Sequence, residues 1–191
     1  MHARRQSLSR FLERTMVGGE PGGRGSEGHV GHPDAARFEV SVRSVPGTGY
    51  VSSTRHASAR ELPEVIRSGA ESLFALAAER GGPSGGLVVI YHGEVGWESD
   101  GPVEICVPLC ETGRAHRIES AHTQLVVDVP PEDVQFPGIL SAFDAVGARA
   151  RALGRAPSGP PREIYRRDGE DPMPRCEVAL PVHPNESEEP A

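Results

Sequence analysis

Apolar and polar positions alternate or step along this chain with two periods that change places at regular intervals. From Arg37 to Val45, Phe38, Val40 and Val42 fall on one face, which predicts a strand, and Thr48 to Arg55 reads as its hairpin partner across Pro46-Gly47. The period then changes. Behind Pro63, a residue suited to a first helical turn, Ile66, Ala70, Leu73, Phe74 and Ala77 line one helical face that ends near Gly81-Gly82. Leu87 to His92 and Val103 to Leu109 are two further strands, giving β-β-α-β-β. The same order recurs: strands at Arg114 to Ser120 and His122 to Val129, a helix bearing Phe136, Ile139, Leu140, Phe143, Val146, Ala150 and Leu153, then strands at Arg162 to Arg166 and Cys176 to Val182.

The residues themselves carry this repeat. Pro83-Ser84-Gly85-Gly86-Leu87-Val88-Val89-Ile90-Tyr91 lies over Pro157-Ser158-Gly159-Pro160-Pro161-Arg162-Glu163-Ile164-Tyr165 at an offset of 74, with five of nine positions identical. At an offset of 73, Glu104-Ile105-Cys106-Val107-Pro108-Leu109 lies over Glu177-Val178-Ala179-Leu180-Pro181-Val182. Two matches in the same order, each at the equivalent place around a helix, indicate an internal duplication. The expected fold is therefore α+β, a duplicated β-β-α-β-β module with pseudo-twofold symmetry and antiparallel sheets around a central cleft. Its repeats span 37–110 and 114–183 within a domain of 37–183, between a basic, glycine-rich segment 1–36 and an acidic tail 184–191.

Composition narrows the chemistry. All 20 basic residues of the 191-residue chain are arginine. The absence of lysine removes Schiff-base chemistry, pyridoxal-phosphate attachment and the P-loop lysine. A net charge of -7 argues against direct DNA binding, which needs a basic face able to displace counterions. The apolar run Leu87 to Tyr91 is too short for a membrane span, and no secretory signal is evident. Three cysteines, Cys106, Cys110 and Cys176, form no CxxC pair, so the chain reads as a reduced, cytoplasmic protein with no metal and no cofactor. His29 and His32 have a metal-like spacing but no third ligand, and Cys106, within a strand, reads as a small buried hydrophobe. Neither GxSxG nor HExxH occurs.

Candidate site residues emerge where the repeats are compared. In the last strand of each repeat, Glu104 and Glu177 alternate with apolar residues, so their carboxylates point away from the helix-packed face, toward the cleft if the sheet faces meet there and toward solvent otherwise. Glu163 stands where the first repeat has Val89, and it shares a strand face with Tyr165 as Val89 does with Tyr91. An acidic group among aromatic rings suits cationic or amphipathic ligands. Trp97, the only tryptophan, lies in the loop between Tyr91 and Val103, placed to line or cover such a site.

The segment Pro157 to Tyr165 followed by Cys176 to Val182 resembles the ending of GyrI-like effector-binding domains, which also form the ligand-sensing parts of MerR- and AraC-type multidrug regulators. The resemblance covers roughly Arg37 to His183. It implies the duplicated α+β fold and a central pocket in which aromatic rings and a glutamate receive bulky, often cationic aromatic compounds. By match of motif, Glu163, Tyr165 and Glu177 would be the pocket residues, with Tyr91 and Glu104 as repeat partners. The chain departs from the regulators in showing no helix-turn-helix pattern before Arg37. Its first expected role is thus a stand-alone binding protein for amphipathic, aromatic or cationic small molecules. The alternatives implied are a hydrolase opening the cyclopropane rings of DNA-alkylating natural products through Glu163 or Glu177, and an interaction protein of the gyrase-inhibitor kind.

Overall fold

The computed structural model describes residues 37–166 and 175–184. The arginine-rich segment and linker expected over 1–36, with His29 and His32, and the tail beyond residue 184 lie outside the described residues. The elements are β1 (Ser41–Val45), β2 (Thr48–Ala57), α1 (Leu62–Glu79), β3 (Leu87–Tyr91), β4 (Gly101–Pro108), β5 (Arg117–Glu119), β6 (His122–Val129), α2 (Leu140–Ala152), β7 (Arg162–Arg166) and β8 (Arg175–Val182).

Local chemistry explains the helix boundaries. Before α1 the Glu61 carboxylate accepts from the Ser58 backbone N–H at 3.0 Å and from the Ser58 hydroxyl at 2.7 Å, and Pro63 sits in the first turn. The helix ends as Gly81 adopts a φ of 98°, a left-handed conformation that glycine takes without a Cβ penalty. Along its buried face run Ile66, Ala70, Leu73 and Ala77, with Phe74 half-buried beside them. The second helix starts later than its apolar pattern suggests: Phe136 precedes it in the β6–α2 connection.

The eight strands of the described residues form one antiparallel sheet in the order β1-β6-β8-β7-β3-β4-β2-β5. Exchanging each strand of the first repeat with its counterpart in the second reverses this order onto itself, which is the signature of a pseudo-twofold axis. The axis crosses the central β3–β7 ladder, where Val89 pairs directly with Glu163. The two halves are joined edge to edge through β3 and β7 into one sheet, and both helices lie over the same face, α1 against β2 and β4, α2 against β6 and β8.

The expected β1–β2 hairpin does not form. β1 crosses to the other repeat and pairs with β6, from Ser41↔Val126 to Val45↔His122, while β5 pairs with the start of β2, from Thr48↔Glu119 to Tyr50↔Arg117. Pro46-Gly47 therefore acts as a bend in a continuing strand rather than a turn that folds it back. Gly47 lies beside Ala121, so the bends of the two repeats meet where the strands cross. Each repeat lends the other an edge strand, and the ends of the sheet are tied together covalently.

The sheet consequently curls. Arg162 on β7 reaches Glu119 on β5 with Nη1 2.8 Å from Oε2, although four strand spacings separate those strands. In a flat sheet they would stand about 19 Å apart, more than the two side chains can bridge. The face away from the helices is thus the concave one, and Ile90 and Cys106 on it are fully buried without a helix to cover them.

Candidate functional site

The site lies on the helix side of the central ladder. β-alternation puts Tyr91 of β3 and Glu163 and Tyr165 of β7 on that face, with Val89 and Val178 as the direct cross-strand neighbours of Glu163. Neither helix makes its principal packing on β3 or β7, so the cleft between the helices falls over this strand pair. Helix α2 closes one side, with Phe143 meeting the Tyr91 ring edge to face at 5.6 Å between centroids.

Glu163 is the centre of the arrangement. It is 5% exposed, and each carboxylate oxygen receives one phenol: Tyr91 donates to Oε1 and Tyr165 to Oε2, both at 2.6 Å. Those lengths are typical of O–H bonds to a charged oxygen. Among the described residues no arginine or histidine pairs with this carboxyl. Burial raises its pKa above the ordinary carboxylate value, and the two tyrosine bonds pull the other way without cancelling the rise. The same burial, with the Glu163 charge beside them, holds both tyrosines well above the usual phenol range, so they remain donors at neutral pH. Cys176, across from Tyr165 in the β7–β8 ladder, is buried, and its thiol is pushed up first by desolvation and then by Glu163. Cys106 is likewise fully buried and free, a small hydrophobe in the sheet.

Trp97 stands at the edge of this region. It is 38% exposed in the β3–β4 loop and packs edge to face on Phe136 at 4.8 Å. The Arg60 guanidinium lies 5.8 Å from the Trp97 ring centre. The second repeat thus meets two rings of the first, Phe143 of α2 at Tyr91 and Phe136 of the β6–α2 connection at Trp97.

Glu104 and Glu177 do not join Glu163. The ladder sets Glu104 opposite Ile90 and Glu177 opposite Ile164, on the concave face, whereas Glu163 lies with the helices. They point away from the helix-packed face as expected, but the cleft that holds Glu163 is on the helix side, and this separates the three carboxylates. Each has a cationic neighbour of its own. Glu104 meets His92 Nε2 at 3.0 Å and Arg117 Nε at 3.7 Å. Burial opposes its ionisation, yet the bonds from His92 and Ser52 and the Arg117 charge hold its pKa below the usual value. Glu177 accepts both Arg43 terminal nitrogens, at 2.9 and 2.7 Å, and Arg166 Nε at 3.2 Å.

The sequence reading passed over a second cluster on the concave face. Glu119 accepts from Arg162 at 3.0 and 2.8 Å, from Arg117 at 3.3 Å and from Tyr50 at 3.4 Å. Its carboxyl is desolvated, but the Arg162 and Arg117 partners lower its pKa. The available signal was the Val88 to Arg162 difference between the repeats, immediately beside the Val89 to Glu163 difference. A groove of about 300 Å³ lies elsewhere, along β1 and β6, lined by Glu39, Ser41, Arg43, Val126, Asp128 and Glu177.

Strand exchange between two β-β-α-β-β repeats, a curled antiparallel sheet and two helices over one face are the architecture of GyrI-like effector-binding domains, and this chain has that fold. Among solved structures, it is similar to the C-terminal domain of EcmrR, with a TM-score of 0.53 and 16% identity over 76% of this chain and 98% of that one. It also matches EcmrR in a cryo-EM complex with DNA, with a TM-score of 0.57 and 15% identity over 95% of this chain and 67% of that one. A hydrolase from Listeria innocua matches with a TM-score of 0.51 and 10% identity over 76% and 92% of the two chains. No protein-family model matches the sequence, and no curated protein is similar to it in sequence. Among the described residues no helix is long and apolar enough to cross a membrane, and no group of three or more potential metal ligands occurs.

Proposed function

We propose that this chain binds amphipathic, aromatic cations in the cleft between its helices, as a cytoplasmic protein of drug or toxin sensing, sequestration or resistance. The observation that carries the reading is Glu163, a buried carboxylate with two phenol donors and no cationic partner among the described residues. A buried charge is costly unless it is paired, and a bound cation supplies the missing countercharge. Tyr91 and Tyr165 hold the acceptor still and offer ring surface for cation–π contact, while Trp97 and Phe136 extend the aromatic wall outward. Glu104 and Glu177, paired on the other face, have no part in this reading.

The test is a titration with tetraphenylphosphonium and a neutral tetraphenyl analogue of the same shape, followed by Trp97 fluorescence and calorimetry. Wild type should bind the cation with a clear advantage. Glu163→Gln should remove about 30- to 100-fold of affinity for the cation, the scale of about 2 to 3 kcal/mol for a hydrogen-bonded or desolvated charge, and leave the neutral analogue nearly unchanged. Equal losses for both ligands would refute the charge-pairing role.

One observation also favours a hydrolytic reading. A carboxyl of raised pKa fixed beside two phenols is suited to act as a general base that activates water toward a strained electrophile, and one similar structure is described as a hydrolase. This reading requires a one-water mass gain on a cyclopropane-bearing alkylator, abolished in Glu163→Gln. Saturable binding without product rejects it.

A further inference from the structure

The two repeats differ most sharply at one dipeptide. Val88-Val89 within β3 corresponds to Arg162-Glu163, which open β7. Neighbouring residues of a strand face opposite ways, so this change puts a carboxylate into the ligand cleft and a guanidinium into the concave face at the same point of the chain. Arg162 is 3% exposed, and its Nη1 contacts both oxygens of Glu119. Glu119 replaces Val45 of the first repeat, so its half of the contact is also absent from the other repeat.

From this juxtaposition we infer that the Arg162–Glu119 pair is a positioning clamp for the ligand site, drawing the edge strand β5 across the concave face onto β7 and thereby fixing Glu163 between Tyr91 and Tyr165. Three features support it. The pair spans strands that are not neighbours in the sheet order, so it reports and sets the curl rather than a single ladder. Glu163 must meet a tyrosine from each repeat, and the separation of those phenols depends on how β3 and β7 are held together. A separate tie, Arg43 with Glu177, joins β1 to β8 and touches neither Arg162 nor Glu163. Arg162 and Glu119 contact no ligand on this account; they act through the backbone of β7.

The inference extends the proposed function of the same cleft, and its test is chosen to work without any ligand. Carbon-13 labelling of glutamate side chains allows the Glu163 carboxyl to be titrated by NMR, assigned by its loss in Glu163→Gln. The titratable groups facing it among the described residues are Tyr91, Tyr165 and Cys176. Arg162→Met strands Glu119 and could unfold the chain, so the informative variant is the double substitution Glu119→Val with Arg162→Val, which installs the residues of the first repeat. Such apolar replacement of a buried ion pair is often tolerated.

In the folded double variant, the Glu163 titration should move by about one unit or more as the phenol pair loosens, and the 2.6 Å bonds should no longer both be seen by crystallography. Arg43→Met, which breaks the separate tie, should leave that titration in place. A folded double variant with the wild-type titration and both phenol bonds intact would overturn the clamp. So would an equal shift in Arg43→Met. If no cationic ligand binds the wild type, the proposed function fails while the titration still decides the clamp.

Discussion

Val89 and Glu163 are direct partners across the ladder that joins the two repeats, so the single buried carboxylate of the cleft lies on the pseudo-twofold axis. Tyr91 and Tyr165, one from each repeat at an offset of 74, then approach it from symmetric directions. A symmetric scaffold thus gains an asymmetric charge at the one place where both halves can hold it.

That placement makes a prediction about stability and pH. Because the folded pKa of Glu163 is raised, its contribution favours the native state below the unfolded carboxyl pKa of about 4.3 and is lost as pH climbs through the folded value. Glu163→Gln lacks this contribution. Urea denaturation at stepped pH should therefore show wild type losing ground relative to the variant as pH rises above about 4.3, then a constant difference once Glu163 is ionised. A difference that is flat throughout, or that moves the other way, would contradict the raised pKa.

Glu104 predicts the opposite sign. Its folded pKa is lowered, so the stability it contributes is present above the unfolded value and lost as pH falls through the folded one. Glu104→Gln should flatten the acid limb of the stability curve while costing about 1 to 3 kcal/mol at neutral pH, the range for a hydrogen bond to a charged group. The same denaturation series checks it, and an unchanged acid limb would show that the bonds from His92 and Ser52 do not matter energetically.

The duplication and the strand positions were legible because they rest on local periodicity: β6 and β7 match the sequence reading residue for residue, and α1 differs only at its ends. Pairing was less legible. Whether Pro46-Gly47 turns a strand back or merely bends it depends on what lies beside it, and here that is Ala121 of the other repeat. The separation of Glu163 from the other two carboxylates was hidden for the same reason. Alternation assigned Glu104 and Glu177 to the face away from the helices, but only the β3–β7 ladder reveals that the cleft holding Glu163 is on the helix side. Glu119 escaped notice because its meaning depends on a contact across four strands, whereas Arg162 was visible as a departure from the repeat.

Close approach at Gly86 gives a structural prediction. A Cβ there would sit 1.7 Å from the Tyr165 backbone oxygen, an impossible distance that neither strand can relieve by moving a side chain. Gly86→Ala must push β3 and β7 apart at the end nearest Tyr165. The expected cost is about 1 to 3 kcal/mol, as for other forced overpacking, together with weaker binding of a cationic ligand. Thermal denaturation beside ligand titration would test both, and wild-type behaviour would mean that β3 does not approach β7 this closely in solution.

All three tyrosines of the chain lie in environments that disfavour phenolate, so one spectrum can examine both faces of the sheet at once. Tyr50, on the concave face, is pushed up to about 12 by burial and then by the nearby Glu119 charge. Tyr91 and Tyr165 are driven well above the usual phenol value by burial and Glu163. A raised folded pKa means that each tyrosine stabilises the native state below pH of about 10 and that this contribution is lost as pH rises through the folded value. Absorbance at the phenolate band should therefore stay flat through pH of about 10 to 11, then rise together with loss of structure by circular dichroism. Glu163→Gln should bring the cleft tyrosines closer to ordinary titration without removing the protection of Tyr50. A tyrosine that titrates near 10 in the folded wild type would show that at least one of these hydroxyls is open to water, and the variant would tell which face it belongs to.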